Sequence, residues 1–288
     1  LVVFGLWLSF ALACNSVFSI DDLSYGPTTA TTTSVAATTT GSGGGIGGDG
    51  GAGGGGGVGG AGGDGGSVGG GSAGALIDRG LVARYFITDQ DGLDGVADAA
   101  PDPLDLEVVD GGNLAFGDVA GHYGITWSAP GGPGGAFAPV AGTKIESALD
   151  GSIVATLEVV VELSDALYFE RMLHIGLPDT YGNLSLSTIA SEGRVNLSVV
   201  EVDVARWTAP VVMVGRRVLH VVIDTNQDME DNRAKLYADG ELAPNHQAMM
   251  VTPMAQHAPI LIDPNATLGL GNRPAGDRSL GGTLHYAA

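Results

Sequence analysis

The sequence has almost no cysteine: Cys14 is the single one among 288 residues. One thiol cannot form a disulfide within its own chain, and zinc sites of the multiple-cysteine type need several. The six histidines are scattered and show no zinc-ligand spacing. Intrachain disulfides and such zinc sites are therefore excluded, so the fold must be held by a hydrophobic core.

Basic residues are also scarce. The chain has 12 Lys and Arg against 32 Asp and Glu, and its formal net charge is −20. This charge repels the phosphates of nucleic acids, which basic side chains must neutralise on binding. The composition predicts a protein with no nucleic-acid partner. The same negative charge is compatible with cation binding.

No apolar run at the start of the chain is long enough to cross a membrane. Residues 1–13 form a short apolar run, whereas about 20 residues are needed to span the hydrocarbon core. The run has the length of a signal-peptide hydrophobic region. Its last residues, Ala11-Leu12-Ala13 before Cys14, resemble the lipobox of bacterial lipoproteins. That resemblance implies export, lipidation of Cys14 and attachment to a membrane.

Two other interpretations of this segment stay open: a signal peptide followed by a coincidental cysteine, or a short transmembrane anchor. The chain opens on Leu1, with no Lys or Arg before the apolar run. Because signal peptides carry a basic start, we expect the native start to be missing. Asn15 follows the cysteine, and the lack of an acidic residue there favours the outer membrane or cell surface of the bacterial cell envelope over the inner membrane.

The composition divides the remaining chain into a linker and a domain. Residues 15–75 are first rich in Ser, Thr and Ala and then almost entirely Gly. Such a segment cannot bury enough apolar surface to offset its ordering entropy. It is predicted to be a disordered tether with an r.m.s. span of roughly 40–50 Å. Residues 76–288 then form one domain, after a leader at 1–14.

The domain shows short alternating strands and no convincing helical pattern. In residues 153–163, apolar residues occupy every second position, which is typical of a half-buried strand. A bulge is predicted at Val199-Val200, and a loop at 129–142. The pattern favours an all-β sandwich or barrel. The predicted strands are 81–87, 104–109, 124–128, 153–163, 172–175, 183–189, 195–204, 218–224, 233–238, 267–271 and 283–286.

Three pieces of the domain resemble laminin-G-like domains of bacterial exported proteins: residues 80–85, the hairpin 218–242, and the final pair 267–272 with 281–286. The resemblance implies a concanavalin A-like jelly roll, an all-β sandwich of two antiparallel sheets. It implies a non-catalytic domain that binds carbohydrate or protein. The family's usual tryptophan before His220 is absent. The chain also ends soon after Tyr286, where family members continue, so a truncated last strand and a partly unpaired first strand are expected.

The segment Glu201-Val202-Asp203-Val204 raises an alternative function. Some glycoside hydrolases of this fold carry Glu-x-Asp-x-Glu on one strand, so that all three carboxylates face the cleft. Here Ala205 and Arg206 stand where the last glutamate belongs. A glycoside hydrolase with this incomplete motif remains the alternative, and no catalytic residue is assigned. Trp127 and Trp207 could stack on sugar rings, but a core position is the expectation for both.

Asp224, Asn226 and Asp228 have the spacing of calcium ligands. Met229 replaces the glycine of an EF-hand loop, and Lys235 stands where its bidentate glutamate belongs. The alternative is an exposed acidic turn within a hairpin. A second acidic loop, residues 89–102, also resembles calcium-binding sequence without completing a pattern. Calcium is thus a possible cofactor, and no other cofactor and no individual ligand-binding residue is predicted.

Overall fold

The structure is a computed structural model that describes residues 80–165, 169–189, 194–246 and 251–288. Cys14, the leader 1–14 and the tether 15–75 lie outside these residues. The described chain forms two antiparallel sheets that face each other across one hydrophobic core. The fold class predicted from the sequence, an all-β two-sheet antiparallel jelly-roll sandwich, is confirmed.

The eight-stranded sheet has the order β13-β12-β11-β6-β15-β4-β3, and β1 pairs with β15. Its strands are β1 Tyr85–Phe86, β3 Leu114–Val119, β4 His122–Trp127, β6 Val154–Asp165, β11 Arg217–Asp224, β12 Ala234–Ala238, β13 Glu241–Leu242 and β15 Gly281–Ala287.

The seven-stranded sheet has the order β10-β9-β8-β7-β14-β5-β2. Its strands are β2 Glu107–Val109, β5 Gly135–Pro139, β7 Arg171–Gly176, β8 Leu184–Ile189, β9 Arg194–Val199, β10 Val202–Thr208 and β14 Thr267–Leu270. A short helix, α1 Lys144–Leu149, and a 3-10 helix, Glu230–Asn232, lie between strands.

Strand β6 shows why the sequence forms a sandwich. Leu157, Val159, Val161 and Leu163 are buried, while the residues between them are not. The strand therefore has one face in the core and one outside, as its alternation predicts. The predicted hairpin is confirmed as well, because β11 pairs with β12 in antiparallel register.

Trp127 is a central side chain of the core, as expected for both tryptophans of the domain. Its Nε1 donates to the carbonyl of Gly134 over 3.1 Å. Its ring lies directly against Gly271, whose φ of +68° is in the left-handed region. A side chain at position 271 would overlap the ring, so only glycine fits there. Trp207 is buried too.

Several sequence predictions of local structure are wrong. Residues 195–204 are not one bulged strand, because β9 and β10 form a tight hairpin that turns at Val200 and Glu201. The predicted loop 129–142 contains β5, and β3 and α1 were not predicted. Strand β1 is only two residues long, shorter than the predicted strand 81–87, and it pairs with the end of β15.

Candidate functional site

Four neighbouring strands of the seven-stranded sheet carry polar side chains on the outer face. The cross-strand register aligns them in two rows over β7, β8, β9 and β10. We call these eight residues the polar patch: one row is Arg171, Ser187, Asn196 and Arg206, and the other is His174, Ser185, Ser198 and Asp203.

The patch exists because of alternation and two bulges. Between its residues, Leu184, Leu186 and Leu197 point into the core. The register shifts between Arg171 and Leu173 in β7 and between Asp203 and Ala205 in β10. Each shift adds one residue to its strand. As a result, Arg171 and Arg206 lie on the outer face. Strict alternation would instead point both arginines inward and would place Ala205 outward in the position that Arg206 takes.

Asp203 connects the end of the patch near β10. Its Oδ1 accepts hydrogen bonds from Asn196 Nδ2 at 2.9 Å and from Ser198 Oγ at 2.8 Å. Its Oδ2 accepts one from Arg206 Nη2 at 3.3 Å. The carboxylate is therefore fully engaged, and its charge is balanced by Arg206.

The loop between β7 and β8, residues 177–183, folds over the row of the patch that contains His174 and Ser185. Ser185 Oγ donates to the carbonyl of Tyr181 at 2.7 Å, and the amide of Tyr181 donates to Glu201 Oε2 at 2.8 Å. Arg273 Nη1 holds the loop by donating to the carbonyls of Asp179 and Thr180. These contacts bury most of the patch.

Burial changes the pKa of two patch residues. Desolvation lowers the pKa of His174 to about 4, helped by the nearby positive charge of Arg171. Desolvation likewise lowers the pKa of Arg171 to about 10, and Arg273 and Arg278 add to that effect. His174 is therefore neutral at pH 7, whereas Arg171 stays charged. The Arg171 guanidinium lies 5.9 Å from the Phe169 ring centre and 5.8 Å from that of Tyr181.

Two adjoining cavities of about 330 and 400 Å³ lie at the edge of the sandwich, where β10 faces the 3-10 helix and β12. Asp231 and Asn245 line both of them. We call this pair the edge cavity. Arg206 of the polar patch also lines its first part, and Trp207 and Lys235 line its second.

The edge cavity offers both kinds of hydrogen-bonding group. Asp231 can accept, Lys235 can donate, and the Asn245 amide can do both. The Nε1 of Trp207 is buried and donates to no group in the structure. A buried donor without an acceptor is costly and uncommon, so this indole is suited to an acceptor on a bound molecule.

The acidic motif predicted from the sequence is not assembled on one strand face. Glu201 lies in the turn before β10, where its carboxylate accepts from the amide of Tyr181. Asp203 lies on the polar patch. Ala205 pairs with core residue Leu197, and Arg206 takes the next outward position. An arginine paired with Asp203 thus stands where the hydrolase pattern would need a second carboxylate.

The predicted calcium ligands lie together in the turn after β11, but nearby donors already use their oxygens. Asp224 accepts from Gln227 Nε2 at 2.6 Å, and Asp228 accepts from Gln256 Nε2 at 2.9 Å. Asn226 Oδ1 lies 2.9 Å from His257 Nδ1. Among the described residues, no group of three or more His, Cys, Asp or Glu is placed to hold a metal ion. Calcium in this loop stays a prediction.

In the second acidic loop, a carboxylate accepts hydrogen bonds from backbone amides. Asp98 is buried, accepts from the amides of Arg84, Ala100 and Leu104, and pairs with Lys144 Nζ at 2.6 Å. A carboxylate bonded in this way has a structural role in fixing the loop.

Sequence reasoning missed both the polar patch and the edge cavity. The signal for the patch is visible in the strings Leu184-Ser185-Leu186-Ser187 and Val195-Asn196-Leu197-Ser198. Small polar residues alternate there with large apolar ones. Their alignment into rows depends on strand register, which the sequence does not give. The edge cavity is lined by segments that are far apart in the sequence, so no local sequence pattern predicts it.

Neither a family model nor a curated protein matches the chain. Solved structures that resemble it include domain 4 of a GH43 extracellular arabinanase from Geobacillus stearothermophilus in complex with arabinotriose. The identity is 17%, the match covers 72% of this chain and 90% of that domain, and the TM-score is 0.45.

Two further similar structures are longer than this chain. Trypanosoma rangeli sialidase matches at 15% identity over 73% of this chain and 30% of the sialidase, with a TM-score of 0.47. The binding domain of botulinum neurotoxin serotype D/C matches at 8% identity over 74% of this chain and 48% of that one, also with a TM-score of 0.47. Because these TM-scores are below 0.5, the fold is assigned from the two sheets of this chain alone.

Proposed function

We propose that this chain is a non-catalytic carbohydrate-binding protein and that a sugar occupies the edge cavity. The observation that carries the proposal is Trp207, which lines a cavity with Asp231, Lys235 and Asn245 and whose buried Nε1 has no acceptor among the described residues. Sugar hydroxyls both donate and accept hydrogen bonds, so they match this mixed set. The combined cavity is in the size range of small-molecule sites.

A carbohydrate suits the site better than a protein surface does. The fully buried centre of a protein interface is enriched in aromatic and apolar residues and depleted of charge. The edge cavity instead carries Asp231, Lys235 and Arg206. A protein partner bound without any glycan would overturn the proposal.

A non-catalytic role is supported by the state of the acidic motif. Retaining glycosidases need two carboxylates about 5 Å apart, with one protonated as the acid. Asp203 is paired with Arg206 and bonded to two further donors, so its oxygens are already engaged within the chain. Glycan hydrolysis by the purified chain, abolished by Glu201→Gln, would favour the hydrolase alternative instead.

We also propose that Cys14 carries lipid and attaches the protein to the bacterial cell envelope, at the outer membrane or cell surface. The apolar run 1–13 and the Ala11-Leu12-Ala13 box support this. Two acyl chains would give stable attachment, since each buried methylene contributes about 0.8 kcal/mol. In the described part of the chain, no helix is both long and apolar enough to cross a membrane. The intact mass of the mature protein and its sensitivity to globomycin test the anchor.

The binding proposal is tested by a glycan array, followed by titration calorimetry of the best glycan with two matched variants. Trp207→Phe keeps the aromatic ring but removes the donor. One hydrogen bond is worth about 1 kcal/mol, so the variant should bind about fivefold more weakly. Trp127→Phe also loses a buried indole, but that indole already donates to Gly134, so its affinity should not change. An array without any signal, or equal affinity of Trp207→Phe and the native chain, would refute the proposal.

A further inference from the structure

Three buried side chains of the polar patch carry polar atoms that have no hydrogen-bond partner among the described residues. These atoms are Nε and Nη1 of Arg171, Oγ of Ser187 and Nδ1 of His174. Arg171 is only 1% exposed, and the other two side chains are fully buried. Most buried polar groups in proteins are paired. A cluster of unpaired ones on a single face therefore indicates a missing partner.

The two donors of this cluster are adjacent. Arg171 and Ser187 are direct cross-strand partners, and side chains in such positions have Cβ atoms about 5 Å apart. Contact with the rings of Phe169 and Tyr181 offsets part of the cost of burying the guanidinium. It does not satisfy the two N–H groups, because they need acceptors in their own plane.

The chemistry of this pair fits a planar anion. A guanidinium N–H gives a charged hydrogen bond to a carboxylate oxygen, and a serine hydroxyl can add a second bond. Nε and Nη1 of Arg171 lie on different edges of the group, so each offers the carboxylate a single contact. Two further arginines lie nearby: Arg273 and Arg278 lower the pKa of Arg171, and Asp203 acts in the opposite direction. This concentration of arginine stands out in a chain whose net charge is −20.

The remaining groups fit a sugar. His174 Nε2 lies 3.2 Å from the carbonyl of Leu177, so Nε2 carries the proton and Nδ1 is an acceptor, as a hydroxyl requires. Tyr181 is 48% exposed and lies beside Arg171 on the solvent side. Its exposed ring is a surface against which a sugar ring can pack.

We propose that Arg171 and Ser187 form a subsite for the carboxylate of an acidic sugar. This inference rests on the proposed function for the nature of the ligand, but its residues are separate from Trp207 and the edge cavity. It predicts that the chain distinguishes uronic acids from neutral sugars.

The test is calorimetric titration of the full chain with sodium glucuronate, with glucose and sodium acetate as comparisons at equal ionic strength. Glucuronate should bind at least tenfold more tightly than either. Arg171→Met should lower its affinity by about tenfold to a hundredfold, because charged hydrogen bonds contribute about 1.5–3 kcal/mol. Ser187→Ala, which leaves the charge unchanged, should weaken binding about fivefold.

Arg217→Met is the matched control, because it removes an arginine that pairs with Asp239 on the other sheet. It should bind glucuronate like the native chain. Arg171→Lys is a second variant, since lysine keeps the charge but loses the fixed planar donors of the guanidinium, and it should also weaken glucuronate binding.

Equal affinity of the native chain and the Arg171 variant, or the absence of glucuronate binding, would overturn the subsite. Equal affinity for acetate would overturn its assignment to a sugar. The two proposals fail separately: loss of neutral-glycan binding in Trp207→Phe reports on the edge cavity, while loss of glucuronate binding in Arg171→Met reports on the subsite.

Discussion

Replacing Arg171 by methionine should make the unliganded protein more stable. The folded state holds the guanidinium where burial lowers its pKa well below the ordinary arginine value, to about 10. Each pKa unit corresponds to about 1.4 kcal/mol. The drop of about 2.5 therefore means that the charged form costs the folded state about 3 kcal/mol at pH 7. Methionine has a similar length and no charge to desolvate.

The stabilisation is reduced by the ring contacts that the substitution removes. Cation–π contacts contribute about 1 kcal/mol each, and Arg171 makes one with Phe169 and one with Tyr181. The net gain in unfolding free energy is then about 1 kcal/mol. In a domain of this size, such a gain raises Tm by about 2–4 °C.

Urea denaturation followed by tryptophan fluorescence measures this difference, and Arg217→Met provides the reference. That arginine is partly exposed in its pair with Asp239, so its loss should lower stability by less than about 1 kcal/mol. If Arg171→Met is less stable than the native chain by more than 1 kcal/mol, Arg171 is a structural cation, and the argument that it awaits an anion fails.

The lowered pKa of Arg171 also makes the stability depend on pH. Because the folded pKa of Arg171 lies below the unfolded one, the unfolded chain binds more protons above about pH 10. The native chain therefore regains stability as the pH rises through about 10. The advantage of Arg171→Met should shrink over that interval, and a difference that is constant from pH 8 to 11 would contradict the pKa.

Three other predictions concern the core, the patch and the acidic loop. Gly271→Ala should lower the unfolding free energy by about 3 kcal/mol in urea titrations, because φ is +68° and the new methyl overlaps the Trp127 ring. As the pH falls from 6.5 to about 4, the unfolding free energy should drop by about 3 kcal/mol, because the unfolded chain protonates at a higher pH than the buried His174 does. The variant His174→Gln should show a smaller drop. Calcium and EDTA should leave Tm unchanged if the side-chain donors keep the oxygens of residues 224–228. A calcium-dependent rise in Tm that is lost in Asp224→Asn would instead support the calcium site predicted from the sequence.

Sequence patterns predicted the parts of the fold in which one local signal dominates. Strand β6 has strict alternation over its length, and the β11–β12 hairpin combines alternation with an acidic turn. Strand β5 was hidden because its residues are Gly, Ala, Phe and Pro between glycine-rich segments. Its place in the sheet comes from pairing with β14 and β2, which are tertiary contacts.

The turn between β9 and β10 was missed for a different reason. Two-residue hairpin turns usually contain Gly, Asn or Asp, because φ must be positive. Here Val200 and Glu201 adopt φ values of +49° and +64°. A β-branched residue is rarely found in that region, so the string Val199-Val200-Glu201-Val202 gives no turn signal. Without the turn, the acidic motif wrongly appears to lie on one strand.

That unusual turn adds to the argument for a site at the polar patch. A non-glycine residue in the left-handed region costs about 1 kcal/mol or more, and Val200 and Glu201 both have this conformation. The turn directs the Glu201 carboxylate to the amide of Tyr181, in the loop that covers the patch. Phe169, on the other side of Arg171, also has a positive φ of +60°. Backbone strain and unpaired buried groups thus meet around one arginine. Strained residues also occur elsewhere in the described chain, at Asp102 and Met213 among others. The argument for a ligand at the patch therefore rests on the unpaired groups of Arg171, Ser187 and His174.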